Sequence, residues 1–273
     1  MTKSMAILLL LIGGTMPAEE NPEKATVPLH DPARPVRVRA HLMTGGITVR
    51  GGDVKEVTVE ATSRGGRERH ESHADRGDGM HRLELPGTAG LDVTEEDNVV
   101  TIKTSSMNRA TDLTITVPRK TSLELKCMND GNIYVEGVDG EIDANNLNGK
   151  VTLKNVAGSV VAHSLNGAVT VSLDRIDSGK AMSFSTMNGD IDVSLPASLK
   201  ANVNMKTDNG DIYSDFDVKL DTSASSRPIE QGRQPDGSYR LRFDQALHGA
   251  INGGGPDFQF KSFNGQIYIR KNK

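Results

Sequence analysis

Apolar and polar residues alternate along much of the chain with the two-residue period of half-buried β-strands. The alternation is clearest in Val36–Ala40, Ile47–Val49, Val54–Ala61, Val99–Ile102 and Leu113–Val117. Successive side chains of a strand point to opposite faces, so this pattern predicts strands with one buried and one exposed face. No segment of comparable length keeps the 3.6-residue period of an amphipathic helix. The chain is therefore predicted to be all-β.

Glycine residues mark an internal repeat in the middle of the chain. Four glycines nine residues apart are each followed by apolar residues at offsets of two, four and seven: Gly131, Gly140, Gly149 and Gly158. Asparagine precedes every second glycine, as in Asn148-Gly149 and Asn166-Gly167, so the full period is eighteen residues. Units of this kind bury their apolar faces only by stacking on one another. The pattern predicts a β-solenoid of about eighteen residues per coil, with a strand-rich N-terminal portion.

Asn-Gly pairs continue after the regular repeat and are interpreted as later coils of the same series with longer or inserted spacers. Glycine permits the backbone angles of a tight turn, which makes these pairs the predicted solenoid turns. The predicted turn residues are Asn148, Gly149, Asn166, Gly167, Asn188, Gly189, Asn209, Gly210, Asn264 and Gly265. The residue before the asparagine is usually apolar and is predicted to anchor the turn from inside, as with Met128, Leu147, Leu165, Met187 and Phe263.

One outward-facing column is predicted beside these turns. Three residues after each turn glycine stand Tyr134, Thr152, Thr170, Asp192, Tyr213 and Tyr268. If the coils stack in phase, these side chains form an exposed Tyr/Thr column on one sheet. Exposed tyrosines suit the binding of glycans or proteins, whereas Tyr and Thr are also common in strands simply because they pack well against one another. The column is the candidate binding site, with both explanations open.

The N-terminus has the features of an export signal. Lys3 precedes the apolar run Met5–Ile12, and small residues lead to Ala18. Because this run is too short to span a bilayer, residues 1–18 are predicted to be a cleaved signal peptide. The protein is accordingly predicted to be periplasmic or extracellular, without stable membrane insertion after cleavage.

The rest of the chain divides by composition. Residues 19–35 contain four prolines and are predicted to be an extended tether, since proline disrupts helices. Residues 36–273 are predicted to form the solenoid domain. Within it, the polar segments 63–82 and 222–237 are predicted to be loops between strands.

The single cysteine, Cys127, cannot form an internal disulfide. It follows Leu123-Glu124-Leu125-Lys126 and is interpreted as a structural thiol on the polar alternation of that strand.

The chain lacks the patterns that most catalytic and cofactor sites require. Its net charge of −4, with both signs interspersed, gives no basic stripe for nucleic acid. The Gly-x-Ser-x-Gly elbow of serine hydrolases is missing, and no glycine-lysine pair has phosphate-loop spacing. Acids beside the turns, Asp190, Asp192 and Asp211, are interpreted as solubilising charges. No catalytic residue, metal site or cofactor is predicted.

Several segments, in their order along the chain, resemble one bacterial family. They are Leu113–Pro118, the Asn-Gly coils, Ile191–Pro196, Gly249–Gly255 and Asn264–Arg270. Over roughly residues 36–273 the chain resembles the widespread domain of unknown function named "putative adhesin". That resemblance implies an exported β-solenoid of the cell envelope, and it supplies no catalytic residues.

These observations predict a non-enzymatic, adhesin-like binding or scaffold protein of the cell envelope. Its flat β surface would contact an unidentified protein or glycan ligand. Two alternatives stay open. A solenoid with uncapped ends exposes pairing edges, so the chain could be a structural element that self-associates. A carbohydrate-active enzyme on a β-helix would instead need acids that converge in a groove.

Overall fold

The computed structural model describes residues 22–64, 90–104, 110–177, 179–221, 228–233, 239–243 and 246–272. The predicted signal peptide and nearly all of the predicted loop at 63–82 lie outside these ranges. The described residues form strands and turns, which confirms the all-β prediction. They include no helix that is long and apolar enough to cross a membrane.

The strands are mostly short and alternate buried with exposed residues, as the sequence pattern predicts. In chain order they are β1 (Glu23–Pro28), β2 (Val36–Thr44), β3 (Ile47–Gly52), β4 (Glu56–Ser63), β5 (Leu91–Glu96), β6 (Val99–Thr104), β7 (Thr111–Pro118), β8 (Thr121–Asn129), β9 (Ile133–Glu136), β10 (Asp139–Asn148), β11 (Val151–Asn166), β12 (Val169–Ile176), β13 (Met182–Asn188), β14 (Ile191–Leu195), β15 (Ala201–Asn209), β16 (Ile212–Ser214), β17 (Val218–Leu220), β18 (Pro228–Arg233), β19 (Tyr239–Phe243), β20 (Leu247–Ile251), β21 (Asp257–Asn264) and β22 (Ile267–Lys271).

Apart from the separate pair β18 and β19, the pairings of these strands form two arrays, here called the first and second sheets. The first sheet has the order β5, β6, β2, β8, β10, β11, β13, β21, β15, β20, β17. The second has the order β1, β4, β7, β3, β9, β11, β12, β14, β22, β16. Strand β11 contributes to both. The inward side chains of the two sheets form one continuous hydrophobic core.

Each coil, here called a rung, follows a strand of the first sheet, turns, and continues as a strand of the second sheet. Neighbouring rungs pair in parallel and in phase, so that Asn148 lies opposite Asn166, and Asn166 opposite Asn188. The first two of these turns are 18 residues apart. Stacking satisfies the backbone groups of each rung and buries its aliphatic face. The structure thus confirms the predicted β-solenoid and its period.

The rungs do not stack in chain order at either end. The rung formed by β6 and β7 lies outside the rung formed by β2 and β3, although it comes later in the chain. At the opposite end, β21 and β22 are inserted between β13–β14 and β15–β16. The interpretation of the last Asn-Gly pairs as a simple continuation is therefore wrong in order. In the stack, the turn at Asn264 precedes the turn at Asn209.

Antiparallel strands close three of the four sheet ends. Strand β5 covers β6, whereas β20 and then β17 cover β15. In the second sheet β4 and β1 cover β7, and the other end finishes at the three-residue strand β16. The self-association alternative assumed that the ends of the solenoid are uncapped. That assumption is wrong for every described sheet end except that at β16.

Two of the predicted segment boundaries also change. Glu23–Pro28, in the predicted tether, form β1 and pair with β4, so the tether prediction is wrong for these residues. The predicted loop at 222–237 contains β18, which pairs with β19.

The core changes in composition along the stack. In the middle rungs it is aliphatic and includes small side chains such as Ala144 and Ala162, both fully buried. Towards the C-terminal end four buried phenylalanines enter it: Phe184, Phe216, Phe258 and Phe260. The rings of Phe184 and Phe260 are stacked, with centroids 5.2 Å apart. The C-terminal rungs thus depend on large aromatic side chains that the middle rungs lack.

Candidate functional site

The Asn-Gly turns form one edge of the solenoid, along which the asparagine side chains are joined in a ladder. Each amide nitrogen, Nδ2, donates to the Oδ1 atom of the preceding rung over 2.8 to 2.9 Å. The bonds run from Asn148 to Asn129, Asn166 to Asn148, Asn188 to Asn166, Asn264 to Asn188 and Asn209 to Asn264. All five point the same way, so each interior amide both donates and accepts. The ladder explains why asparagine recurs at this position.

The turn glycines lie against the backbone of the adjacent turn. A Cβ atom on Gly265 would lie 1.9 Å from the backbone oxygen of Gly189, and one on Gly149 would lie 2.0 Å from that of Gly131. No side chain fits at these distances. Close approach of the two backbones therefore requires glycine here.

A second column at the turns points inward and was missing from the sequence-based prediction. Two residues before the turn asparagine, a buried or half-buried side chain donates to a glycine carbonyl of the preceding rung. The pairs are Cys127 to Gly45, Asn146 to Gly131, Ser164 to Gly149, Thr186 to Gly167, Ser262 to Gly189 and Thr207 to Gly265. The sequence contained a signal for this column, because Asn, Ser or Thr stands two residues before each of the five Asn-Gly pairs predicted as turns. Buried carbonyls need such donors.

Cys127 is the first member of this inward donor column. Its interpretation as part of the polar alternation is wrong, because it shares the buried face of Leu123 and Leu125. Its Sγ atom lies 2.8 Å from the carbonyl oxygen of Gly45, and burial raises the pKa of the thiol to about 11. Cys127 thus occupies, as a protonated weak donor, the position that other rungs give to a hydroxyl or an amide.

The residues directly before the turn asparagines point outward, so the prediction of inward anchors is wrong. Met128, Met187 and Phe263 are 41%, 45% and 45% exposed. The inward position at this corner is already taken by the donor column, and strand alternation turns the next residue outward. The exposed row, here called the apolar ridge, consists of Met43, Met128, Leu147, Leu165, Met187 and Phe263.

The six predicted binding residues do lie in one column, on the second sheet. The backbone register pairs Tyr134 with Thr152, Thr152 with Thr170, Thr170 with Asp192, Asp192 with Tyr268, and Tyr268 with Tyr213. Because of the inserted rung, Tyr268 lies between Asp192 and Tyr213. All six side chains are half-buried or exposed. The Tyr/Thr column is thus a continuous feature of one outer face.

An aromatic and charged cluster ends the column at β16. The rings of Tyr213 and Tyr268 are stacked, with centroids 5.2 Å apart and planes 11° apart. The guanidinium of Arg270 lies 4.9 Å from the centroid of the Tyr268 ring, and its Nε atom donates to Asp192 over 2.8 Å. The carboxylate of Asp211 raises the pKa of the Tyr213 phenol. Stacking and ion pairing hold these rings in place on the surface.

Tyr134, in the middle of the stack, is held by two neighbours on the same face. Its hydroxyl donates to Glu136 Oε2 over 3.1 Å, and the ammonium of Lys154 lies 5.7 Å from its ring centroid. Burial and then the Glu136 carboxylate raise the pKa of the phenol. Tyr134 is therefore a protonated hydrogen-bond donor at neutral pH.

The acids beside the turns have structural partners. Asp190 accepts from the backbone N–H of Gln266 over 2.8 Å, and Asp192 pairs with Arg270. Neither arrangement leaves a pair of carboxylates facing one substrate. Within the described ranges, no group of three or more His, Cys, Asp or Glu residues could hold a metal ion.

Comparison with known proteins finds one family model that matches part of this chain. Residues 140–245 match the family model described as Toastrack DUF4097. This part of the chain is similar to that family, and the match agrees with the resemblance to a domain of unknown function. No curated protein matches the chain.

Three solved structures resemble the chain at low sequence identity. A "putative cell adhesion protein" from Clostridium sporogenes is 12% identical and has a TM-score of 0.42, covering 92% of this chain and 100% of its own. A "putative adhesin" from Bacteroides fragilis is 11% identical, with a TM-score of 0.30, and covers 93% and 98%. A "putative lipid binding protein" from Parabacteroides distasonis is 11% identical, with a TM-score of 0.25 and the same coverage. At TM-scores below 0.5, none of these likenesses carries an inference about this chain.

Proposed function

We propose that this chain is a non-enzymatic, adhesin-like binding or scaffold protein of the cell envelope whose ligand-contact surface is the Tyr/Thr column. The observation that carries the proposal is the alignment of the six residues in one outward column that ends in the stacked pair Tyr213 and Tyr268. The export signal predicted at residues 1–18 supports a periplasmic or extracellular location.

The column has the properties of a preorganised contact surface. Its rungs are about 4.8 Å apart, so its side chains repeat at the spacing of paired strands. Rings already held by Arg270, Lys154 and their own stacking lose little conformational entropy when a ligand binds. Phenol hydroxyls beside apolar ring faces suit both the hydroxyl groups and the C–H faces of a glycan, and equally an extended protein segment.

The decisive experiment replaces Tyr134, Tyr213 and Tyr268 together by Ser. We expect binding to whole cells and to a glycan array to fall at least about tenfold, while the far-UV circular dichroism spectrum stays the same. A matched control replaces Met128, Met187 and Phe263 of the apolar ridge by Ser, which removes exposed apolar area from a different face. Undiminished binding by the tyrosine variant would contradict the proposal. Loss of binding only in the ridge variant would show that the apolar ridge is the binding surface.

Self-association is the second candidate function, and the exposed end of the second sheet at β16 is the observation in its favour. The antiparallel strands at the other three ends count against a continuous end-to-end fibre. Light scattering over a dilution series separates the two functions. A mass that does not change with concentration supports the binding module.

A further inference from the structure

We propose that Asn209 is a spontaneous modification site, which deamidates in the folded protein faster than the other four Asn-Gly pairs of the asparagine ladder. The chain has six Asn-Gly pairs, of which five lie at the ladder turns and the sixth, Asn252-Gly253, lies outside the ladder. By sequence the five ladder pairs are equally reactive, because glycine leaves the attacking backbone nitrogen unhindered. The structure makes them unequal. This inference does not depend on the proposed function.

The reaction is balanced with water as its only co-reactant. The backbone nitrogen of Gly210 loses its proton and attacks Cγ of Asn209. A C–N bond forms, the Cγ–Nδ2 bond breaks, and Nδ2 leaves as ammonia after taking up a proton. Water then opens the resulting succinimide at either carbonyl, giving aspartate or isoaspartate at this position.

The asparagine ladder restrains four of the five reactive side chains on both sides. The Oδ1 atoms of Asn148, Asn166, Asn188 and Asn264 each accept an amide hydrogen bond from the next rung. Asn209 belongs to the last rung of the stack and only donates. No described residue donates to its Oδ1 atom. Its side chain is thus the freest of the five to rotate so that Cγ approaches the backbone nitrogen of Gly210.

The attacking nitrogen is also less restrained in this rung. The N–H of Gly189 donates to the carbonyl of Asn264 over 2.9 Å, and that of Gly265 donates to the carbonyl of Asn209 over 3.0 Å. Among the described residues no such backbone acceptor is found for the N–H of Gly210, nor for those of Gly149 and Gly167. This restraint therefore separates Asn209 from its ladder neighbours Asn264 and Asn188, but not from Asn148 and Asn166. An N–H already held by a carbonyl must give up that bond before it can be deprotonated and attack.

Exposure to water is a further difference between the turn at Asn209 and the other four Asn-Gly turns of the ladder. Of the five turn glycines only Gly210 is exposed, and the other four are half-buried. The strand that covers β15 on its outer side, β20, pairs with Ala201–Met205 and stops short of the turn. Hydroxide and water therefore reach this turn most easily.

Either product would weaken the last rung of the second sheet. Aspartate places a further negative charge between Asp208 and Asp211, and isoaspartate adds a methylene group to the main chain between β15 and β16. Strand β16 is only three residues long and pairs with β22 alone among the described strands. Modification at Asn209 would therefore loosen Tyr213 from its stack on Tyr268.

The test is peptide mapping by mass spectrometry after incubation of the full chain at mildly alkaline pH. Heavy-oxygen water marks the products formed during incubation. We expect Asn209 to react at least about fivefold faster than Asn188 and Asn264, the ratio that one lost hydrogen bond corresponds to. In concentrated urea the five sites should react at similar rates. Equal rates in the folded protein, or a faster rate at another Asn-Gly pair of the ladder, would overturn the proposal.

A variant tests the ladder itself. Asn209→Ala moves the free end of the ladder to Asn264, whose Oδ1 atom loses its donor. Deamidation at Asn264 should then accelerate, whereas Asn148, three rungs away, should keep its rate and serves as the internal control. An unchanged rate at Asn264 would show that the ladder does not protect these side chains.

Discussion

In the middle of the solenoid successive rungs follow one another along the chain, whereas at its C-terminal end the last rung of the chain lies between two earlier ones. Asn148 and Asn166, neighbours in the ladder, are 18 residues apart. Asn188 and Asn264, also neighbours, are 76 residues apart. The two regions use the same turn, the same ladder and the same inward donors, but they close loops of very different length.

This difference indicates where each region obtains its stability. Closing a longer loop costs more entropy, by about 0.6 kcal/mol for each doubling, and contacts between distant residues also slow folding. The C-terminal rungs offset that cost with larger buried side chains, Phe184, Phe258 and Phe260, in place of the alanines of the middle rungs. We therefore expect the C-terminal region to depend more heavily on single core contacts.

The largest effect should come from removing the inserted rung. Deleting residues 257–273 takes β21 and β22 out of the interior of the stack. It removes one of the two partners of β13, β14 and β15 and the only described partner of β16. Hydrogen exchange followed by mass spectrometry should show loss of protection in all four strands, with β8 to β10 still protected. As a control, deletion of the residues before Leu29 removes the edge strand β1, which pairs only with β4 among the described strands. Equal loss of protection from both deletions would contradict the comparison.

A substitution in the aromatic core tests the same difference between the C-terminal and the middle rungs. Phe260 is fully buried and stacked on Phe184, so Phe260→Ala should lower the free energy of unfolding by about 3–5 kcal/mol. In the middle rungs Ile142→Val should cost only about 0.5–1.5 kcal/mol. Chemical denaturation measures both. A Phe260→Ala protein as stable as Ile142→Val would show that the aromatic stack contributes little.

The turn glycines should behave alike in the two regions, because the backbones approach equally closely. Gly149→Ala and Gly265→Ala each place a Cβ about 2 Å from a backbone oxygen and should each destabilise the protein by more than about 1 kcal/mol. Gly52→Ala is the control, since its nearest neighbour would be 3.8 Å away. If only one of the two turn variants is destabilised, the close backbone contact at the turn does not constrain all rungs in the same way.

The smallest expected effect is the pH dependence of stability that the Cys127 thiol contributes. Burial raises its pKa to about 11 from an ordinary value of 9.0, so between these values the unfolded chain loses the thiol proton while the folded protein keeps it. Stability should therefore fall as pH rises through this range, and Cys127→Ser should reduce the contribution of that group. At pH values near 8, a thiol reagent should react slowly with the folded protein and rapidly in urea. Fast labelling of the folded protein would contradict the burial of Cys127.

Much of the candidate site could be predicted because it follows from local spacing. A fixed offset from the turn glycine places Tyr134, Thr152 and Thr170 on one outward face, and strand alternation does not depend on what lies above or below. The inward or outward orientation of the residues at the turns was harder to predict. Alternation restarts at the turn, and the need of a buried glycine carbonyl for a donor decides that Ser164 points inward and Leu165 outward. That need becomes visible only when two rungs are placed against each other.

By itself the sequence determined the strand period, the turn positions and the register of the Tyr/Thr column, since all three are set by residues within one coil of each other. Only the tertiary structure decided the order of the rungs. Parallel stacking pairs any two rungs that share the same turn and inward face, so the spacing between Asn188, Asn209 and Asn264 does not reveal which two are neighbours. The order is settled by how the aromatic core and the antiparallel end strands fit together, and it is this order that leaves Asn209 alone at the end of the ladder.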